Sequence, residues 1–546
     1  MTFATTTADK QSITVQQVRR WSALLGVLSA AVVLAVAELF AVFISPASSP
    51  LFAAGSLVID LAPAWLKDLT IALFGTNDKI VLLVCLAILV LIVAVVIGLL
   101  EFARPSWGVI LLVLAGVIAT IAVTTRAQAS ASWPMPTVLG IVAGVLVLRL
   151  TMIRLRRWVQ SAPATAATAR TVAGPDDTQR HTAAGNRVPA ASRRDFLRIV
   201  GVASVGAVLV GVGARVVNAG ATVVDAVRTA LTLPTPAVAA APIPASASLN
   251  VPGISPIITP NADFYRIDTA LVVPNIDADE WSLKITGMVE NEIEITFAEL
   301  LALPLIETAA TLSCVSNVVG GDLVDNAMWL GYPIRELLAQ AKPLAGADMV
   351  LSRSIDGFTA STPLEALQEE SRESILAVGM NGEPLPREHG FPVRMVVPGL
   401  YGYVSATKWV VEMQVTRFAD ATAYWTDRGW SAMGPVKVQS RIDVPTQGSS
   451  VEAGTVAVAG VAWAPNTGIT GVEVRIDGGS WNDAELATAI SADTWVQWVY
   501  EWEASAGEHV IEVRATDAAS TTQSGVPLPV VPDGAEGWHT IRVQVA

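Results

Sequence analysis

The stretch "TLSCVSNVVGGDLVDNAMWLGYP", Thr311–Pro333, holds Cys314, one of only two cysteines in the 546-residue chain. The other, Cys85, sits in an apolar run near the N-terminus. A free cysteine often serves as a small buried hydrophobe. This one lies in a polar, glycine-rich segment, where a bound thiolate is also at home. Two cysteines in such different surroundings exclude a disulfide framework, and no CxxC or Cys/His spacing offers a zinc site.

Working outward, the chain divides by hydropathy. Apolar residues make up 52% of it, and the formal net charge of -13 argues against a general nucleic-acid binder. Four long apolar runs stand in the first 155 residues: Ser22–Ile44, Ile80–Leu100, Trp107–Val123 and Met135–Met152. Each approaches the ~20 residues that cross a bilayer as a helix. The run Leu51–Phe74 contains Asp60, Pro63, Lys67 and Asp68 and reads as an interfacial, partly amphipathic segment. A fifth run, Ile199–Val217, follows "SRRDFLR", Ser192–Arg198. The paired Arg193 and Arg194 resemble a twin-arginine export signal placed internally, and they also follow from the positive-inside bias.

Loop charges set the expected topology. Arg19 and Arg20 precede the first span; Arg154, Arg156 and Arg157 follow the fourth; Arg170, Arg180 and Arg187 precede the fifth. With five spans these fall on one side, the cytoplasmic one, and everything after Val217 is extracytoplasmic. The region 156–195 reads as a cytoplasmic linker, 196–218 as a fifth transmembrane helix, and 219–257 as a Pro/Ala linker. Glu38 reads as the one ionisable residue deep in a span, a functional or a packing acid. No histidine lies in any span, which removes the usual axial ligands of a membrane haem.

Beyond the linker, 258–425 mixes strand-like and helical segments. "EWSLKITGMV" and "NEIEITF" alternate with period two, whereas "FAELLALP" and "IRELLAQA" repeat apolar residues at three and four. This is α+β and not a regular βαβ series. No GxGxxG, Walker A loop or GxSxG elbow occurs, so nucleotide binding and α/β-hydrolase chemistry lose support. In 426–546 the segments "GTVAVAGVAW", "GVEVRID", "TWVQWVYEWE", "HVIEVRATD" and "TIRVQV" predict an all-β immunoglobulin-like sandwich.

At this point the residues carry a family resemblance. "TPNADFYRIDTALVVP" (259–274), "LSCVSNVVGG" (312–321), "WLGYPIRELL" (329–338), "SIDGFTASTPLEAL" (354–367), "MNGEPLPREHGFPVRMVVPGLYGYVSATKWV" (380–410) and "GVEVRIDGGSWNDAEL" (471–486) occur in the order of the sulfite oxidase family of molybdenum enzymes. Together they cover more than half of the chain and resemble that family. The resemblance implies an α+β molybdopterin domain followed by an immunoglobulin-like domain that dimerises. It implies a molybdenum held by the dithiolene of one pyranopterin and by Cys314, the sole protein ligand. It places Asn261, Tyr265, Arg266, Asp356, His389, Arg394, Ser405, Ala406, Thr407 and Lys408 around the pterin. Arginine's planar fork suits the pterin phosphate, and a turn role for Asp356 stays open.

The chain also departs from the family pattern. Sulfite oxidases of animals and plants carry an arginine shortly after the cysteine, where this chain has Val318 and Val319. The stretch matching their catalytic tyrosine reads "YWTDRGWSAMGP", with Trp430 in place of the hydroxyl and Arg428 as a remaining cation. The resemblance therefore implies a molybdopterin oxidoreductase without fixing sulfite as its substrate. Expected partners are the lipid bilayer, a small, sulfur-containing molecule, a second copy of the chain, and a separate electron carrier (quinone or cytochrome), since no haem is expected in this chain. Sulfoxide reduction, a cofactor-free adhesion or sensing module, and transport by the spans are the alternative readings.

Overall fold

A computed structural model describes residues 14–45, 48–63, 78–126, 129–161 and 220–546, with Leu66, Thr70, Leu73, Phe74 and Gly201. Of the linker expected over 156–195, residues 156–161 are instead helical, and the rest, with the "SRRDFLR" motif, lies outside the described residues, as does the fifth apolar run but for Gly201. The chain forms two compact units, one of residues 1–62 and 67–219, the other of 63–66 and 220–546.

In the first unit, α1 (Val15–Ile44), α3 (Asp78–Ala103), α4 (Trp107–Thr124) and α5 (Pro134–Ser161) are each long and apolar enough to cross a membrane. They match the four apolar runs. Between them α2 (Pro50–Leu61) is a 12-residue helix, too short to span, with Ser49 as its N-cap and Pro50 in its first turn. Lipid tails give helices no hydrophobic reason to associate, so small residues that allow close approach decide the packing. A Cβ added to Gly98 of α3 would stand 2.0 Å from the Ser22 carbonyl oxygen of α1, and one on Gly26 of α1 would stand 2.1 Å from the Ala94 carbonyl oxygen of α3. Across the other face of α1, the Ser29 hydroxyl donates to the Gly144 carbonyl of α5 at 2.7 Å.

The expectation of a single deep acid needs correction. Glu38 is present and accepts from the Ser49 hydroxyl at 2.5 Å. But α5 also carries Arg149, whose guanidinium meets the fully buried Glu101 at the end of α3 at 3.1 Å. Glu101 further accepts from the backbone N–H groups of Ser106 and Val109, at 3.2 and 3.1 Å, and so caps the start of α4. An apolar count over each run passes over such a pair because the two charges sit on different helices and neutralise each other.

The second unit begins with a helix, Gly220–Ala230. The linker expected over 219–257 is thus helical over Gly220–Ala230, and the Pro/Ala segment after that helix is extended and hydrogen-bonded to the domains it borders. Ala237 N–H donates to Leu305 at 2.7 Å, Leu249 N–H to Gln497 at 2.6 Å and Ser255 N–H to Asp443 at 2.9 Å.

Ten strands follow: β1 (Ser282–Gly287), β2 (Ile293–Thr296), β3 (Ile306–Ser313), β4 (Val324–Pro333), β5 (Met349–Ser354), β6 (Thr359–Pro363), β7 (Ile375–Met380), β8 (Glu383–Pro384), β9 (Arg394–Val396) and β10 (Val410–Thr416). One sheet runs β2–β1–β10–β5–β6, the other β3–β4–β7–β8 with β9 paired to β7. The short helices predicted at "FAELLALP" and "IRELLAQA" are Phe297–Leu301 and Ile334–Ala341. Thr296 and Glu299 close a capping box on the first, and the second buries Ile334, Leu337, Leu338 and Ala341, one stripe of its surface.

Nine strands form the last domain: β11 (Gln439–Val444), β12 (Ser450–Val451), β13 (Gly454–Trp463), β14 (Ile469–Ile476), β15 (Asn482–Asp483), β16 (Glu485–Leu486), β17 (Val496–Ala504), β18 (Gly507–Asp517) and β19 (His539–Val545). They make sheets β11–β13–β17–β16 and β12–β19–β18–β14–β15. Trp498, Val458, Val474, Ile511 and Val543 fill the core, so all five strand-like segments read from the sequence are strands. The two domains share an apolar cluster of Val324 with Val461, Trp463 and Trp495.

Overpacking a helix crossing costs about 1–3 kcal/mol. Gly98→Ala is therefore expected to lower the melting temperature of the detergent-solubilised protein, read as loss of helical signal by far-ultraviolet circular dichroism. An unchanged melting point would remove the close α1–α3 contact.

Candidate functional site

Cys314 follows the last residue of β3. Its N–H donates to Leu323 O at 2.9 Å, and its Sγ accepts from Ser316 N–H at 3.4 Å. Burial pushes the thiol above its ordinary pKa, while the Ser316 N–H and the Lys408 charge pull it down. Tyr265 lies in the same field. Burial raises its hydroxyl well above the usual value, Cys314 adds to the rise, and Arg394 opposes it.

A cavity of about 330 Å³ is lined by Asn261, Phe264, Arg266, Arg387 and His389 among others, with Cys314 and Tyr265 not in its lining. His389 ends a short 3-10 turn, Arg387–His389, and is 2% exposed. Its Nε2 stands 3.1 Å from the Asn261 carbonyl oxygen, which assigns the proton to Nε2. Nδ1 is then a buried acceptor with no protein partner. Burial, with Lys408 and Arg394, pushes the imidazole down to about 3, so it is neutral near pH 7. Arg387 Nε is a second buried polar atom without a partner.

Arg394 opens β9 and is 3% exposed. It donates to the carbonyls of His389 and Met395 at 3.1 and 3.4 Å and stacks 5.1 Å over the Trp329 ring. Burial lowers its pKa to about 10. Lys408 donates to Asp268 at 3.1 Å and to the Glu388 carbonyl at 2.9 Å. Burial lowers it to about 8 in spite of Asp268. Asp268 also accepts from Arg266 at 3.0 Å, so one carboxylate serves two cations.

The expected site residues divide into groups. Asn261, Arg266 and His389 line the cavity, and Tyr265, Arg394 and Lys408 share their electrostatic neighbourhood. Asp356 sits in the turn between β5 and β6 and accepts from Phe358 N–H at 3.1 Å. Burial raises its pKa, and Asp268 and Lys408 act on it. The Ser405 and Thr407 hydroxyls are already engaged, Ser405 donating to Leu400 and Tyr401 within its own loop and Thr407 bonded to Ser352 of β5 at 2.7 Å. Ala406 caps that turn with its N–H on Gly402. Arg428 stacks 3.6 Å over Tyr424 and donates to its carbonyl at 2.7 Å. Trp430 packs on Tyr403 and Trp425.

Sequence reading missed three contributors. Arg387, two residues before His389, reaches the cavity and pairs with Asp225 of the Gly220–Ala230 helix at 3.2 Å. Asp268 joins Arg266 to Lys408, and its place two residues after Arg266 is the only local signal. Asp325 accepts from Tyr265 N–H at 2.7 Å and from Thr259 at 3.0 Å, and burial raises it to about 6.

A site with buried cations, a neutral imidazole offering a free acceptor and one thiol suits an anionic ligand rich in hydrogen-bonding groups plus a soft metal. The orphaned His389 Nδ1 and Arg387 Nε are the observations that fit such a group.

Comparison with known proteins gives two domain matches. Residues 270–425 match the oxidoreductase molybdopterin binding domain, and residues 439–513 match a bacterial Ig domain. Mitochondrial sulfite oxidase of Rattus norvegicus is 29% identical over 341 residues, which are 53% of this chain and 62% of that protein. The chain thus spans less than two thirds of the length of that relative. The uncharacterized oxidoreductase YuiH of Bacillus subtilis is 32% identical over 158 residues, 29% of this chain and 76% of that protein. Among solved structures, the sulfane dehydrogenase SoxCD of Paracoccus pantotrophus aligns at 22% identity with a TM-score of 0.47, over 53% of this chain and 82% of that one. With YuiH matched over most of its length and the molybdopterin domain matched through the segments that carry Cys314, His389 and Arg394, the chain belongs to the sulfite oxidase family of molybdopterin-binding oxidoreductases.

Proposed function

We propose that this protein is a molybdopterin oxidoreductase anchored in a bacterial cell membrane, with both soluble domains outside the cytoplasm, acting on a small sulfur-containing substrate. The observation that carries the reading is one thiol, Cys314, in the same charged neighbourhood as Lys408, Arg394 and the orphaned acceptor of His389. Membrane anchoring rests on the four long apolar helices. The orientation rests on arginines: Arg19 and Arg20 at one end of α1, and Arg154, Arg156 and Arg157 at the end of α5, on one side after four crossings. The fifth run then carries the chain across.

In this reading Cys314 holds the metal through its thiolate, and the Ser316 N–H, already directed at Sγ, supports the charged form. His389 accepts from a pterin N–H. Lys408 and Arg266, bridged by Asp268, receive the phosphate, and Arg394 adds buried positive charge. Bound there, the molybdenum cofactor supplies two-electron oxygen-atom transfer, the chemistry the side chains lack. The residues after Cys314, Val318 and Val319, carry no charge to bind a sulfite anion, so a sulfoxide or another small sulfur compound competes with sulfite. Trp430 has a buried indole N–H without a hydrogen-bond partner and, with Arg428, is the residue we place on the substrate side. Electrons pass to or from a separate quinone or cytochrome. The immunoglobulin-like domain is assigned to homodimer formation.

Protein from a cofactor-competent host is expected to contain about one molybdenum and one pterin per chain, and a metal-free product would leave only a surface module. Cys314→Ser is expected to cut turnover by more than about 100-fold, beyond the loss for an outer-shell partner, with the melting temperature unchanged. A panel of sulfite, thiosulfate and sulfoxides with artificial electron donors and acceptors identifies substrate and direction.

Lys408 gives a pH signature. Free, it loses its proton near pH 8, whereas a bound phosphate holds the proton on. Cofactor uptake by the cofactor-free protein should therefore weaken above pH 8, by up to about tenfold per pH unit, and Lys408→Met should flatten that slope. A slope unchanged in Lys408→Met removes Lys408 from the phosphate site.

A further inference from the structure

We infer that the immunoglobulin-like domain positions the Cys314 loop through Arg441 and His539, two residues that fix the thiol's direction without meeting the ligand it holds. The catalytic part of this inference rests on Cys314 being the metal ligand; the mechanical part does not.

The loop is closed on itself at its near end. Cys314 N–H donates to Leu323 O at 2.9 Å, and Asn317 Oδ1 accepts from Leu323 N–H at 2.9 Å. Gly321 N–H donates to Val318 O at 2.9 Å. A loop tied this way turns as a unit, so whatever holds its far end sets the orientation of Sγ.

That far end is held from the second domain. Arg441 of β11 donates through Nη1 to the Gly321 carbonyl at 2.8 Å. Its other nitrogens are also engaged, Nε with Asp443 at 2.7 Å and Nη2 with the Ser255 hydroxyl at 2.8 Å. The Arg441 and Asp443 side chains are 11% and 8% exposed, and Asp443 accepts in turn from Ser255 N–H. Held at Nε and Nη2, the guanidinium presents Nη1 to Gly321 rigidly. Next to it stands His539, the first residue of β19. Its Nδ1 accepts from Ile442 N–H at 2.9 Å, which fixes the ring plane. The ring lies so close to Gly320 that a Cβ there would stand 2.2 Å from Cδ2, and Gly320 has φ +74°. Only glycine satisfies both conditions. Gly537 of the same domain faces the loop as well, since a Cβ added there would stand 3.5 Å from Val319 Cγ2. Hydrogen bonding and ring packing thus act on two consecutive loop residues, Gly320 and Gly321.

The test uses the full chain with Arg441→Ala, Arg441→Lys and His539→Gln, the last retaining an acceptor for Ile442 N–H. In cofactor-free protein, Arg441→Ala is expected to raise amide hydrogen exchange at residues 315–322 by about tenfold, with the other strands unchanged and Arg441→Lys partly restoring protection. In holoenzyme, kcat should fall by about ten- to a hundredfold with KM within about twofold, and the visible circular dichroism of the thiolate-bound metal should shift. His539→Gln should reproduce the exchange change, which keeps the inference testable if the Arg441 variants fail to fold. Unchanged exchange in 315–322, or a rise spread evenly over both domains, overturns the clamp. A protein that binds no molybdenum but shows the local exchange change overturns the proposed function and leaves the clamp standing.

Discussion

The site depends on positive charge held out of water. Arg394 is buried, Lys408 is nearly so and His389 is kept neutral beside them, and taking an ion out of water costs several kcal/mol unless partners replace the solvent. The fold supplies those partners from separate elements. Carbonyls of His389 and Met395 serve Arg394, the Trp329 ring faces it, and Asp268 links Lys408 to Arg266. The segment before β1, the turn before β9 and the loop before β10 must therefore converge for any one cation to be tolerated. The same arrangement is electrostatically incomplete in a useful sense: an incoming anion meets donors already oriented and already desolvated.

The second domain is bound into this arrangement on two levels. An apolar cluster joins Val324 of β4 to Trp463 and Trp495 of the sandwich, and Trp495 N–H donates to the Thr311 hydroxyl on β3 at 2.7 Å. Both β3 and β4 flank the Cys314 loop, so packing between domains and placement of the thiol are one structural problem. The Pro/Ala segment reinforces the junction, since Ser255 touches both Arg441 and Asp443.

What the sequence revealed follows from the range of each interaction. Spans, short helices and sandwich strands are local patterns, and α1, α3, α4, α5 and β13 stand where hydropathy and alternation place them. Cys314, His389 and Arg394 were legible through motif order. Asp268 and Arg387 were not, because their roles arise from partners brought together only by the fold. Ser405 and Thr407 illustrate the opposite error: hydroxyls beside a binding lysine look available, yet one closes its own loop and the other ties that loop to β5. The Glu101–Arg149 pair shows why charge counted along one helix misleads. The Gly320 requirement is written in His539, which no local window around Cys314 contains.

That last contact has a consequence for biosynthesis. Gly320 and His539 are far apart in the chain, and a contact of high sequence separation carries a large loop-closure cost and forms late. While β3 and β4 emerge and pair, the ring that will pin Gly320 has not been translated. Until β19 is made, the cysteine loop has only its own hydrogen bonds to hold it, and its final setting waits on the last strand of the chain.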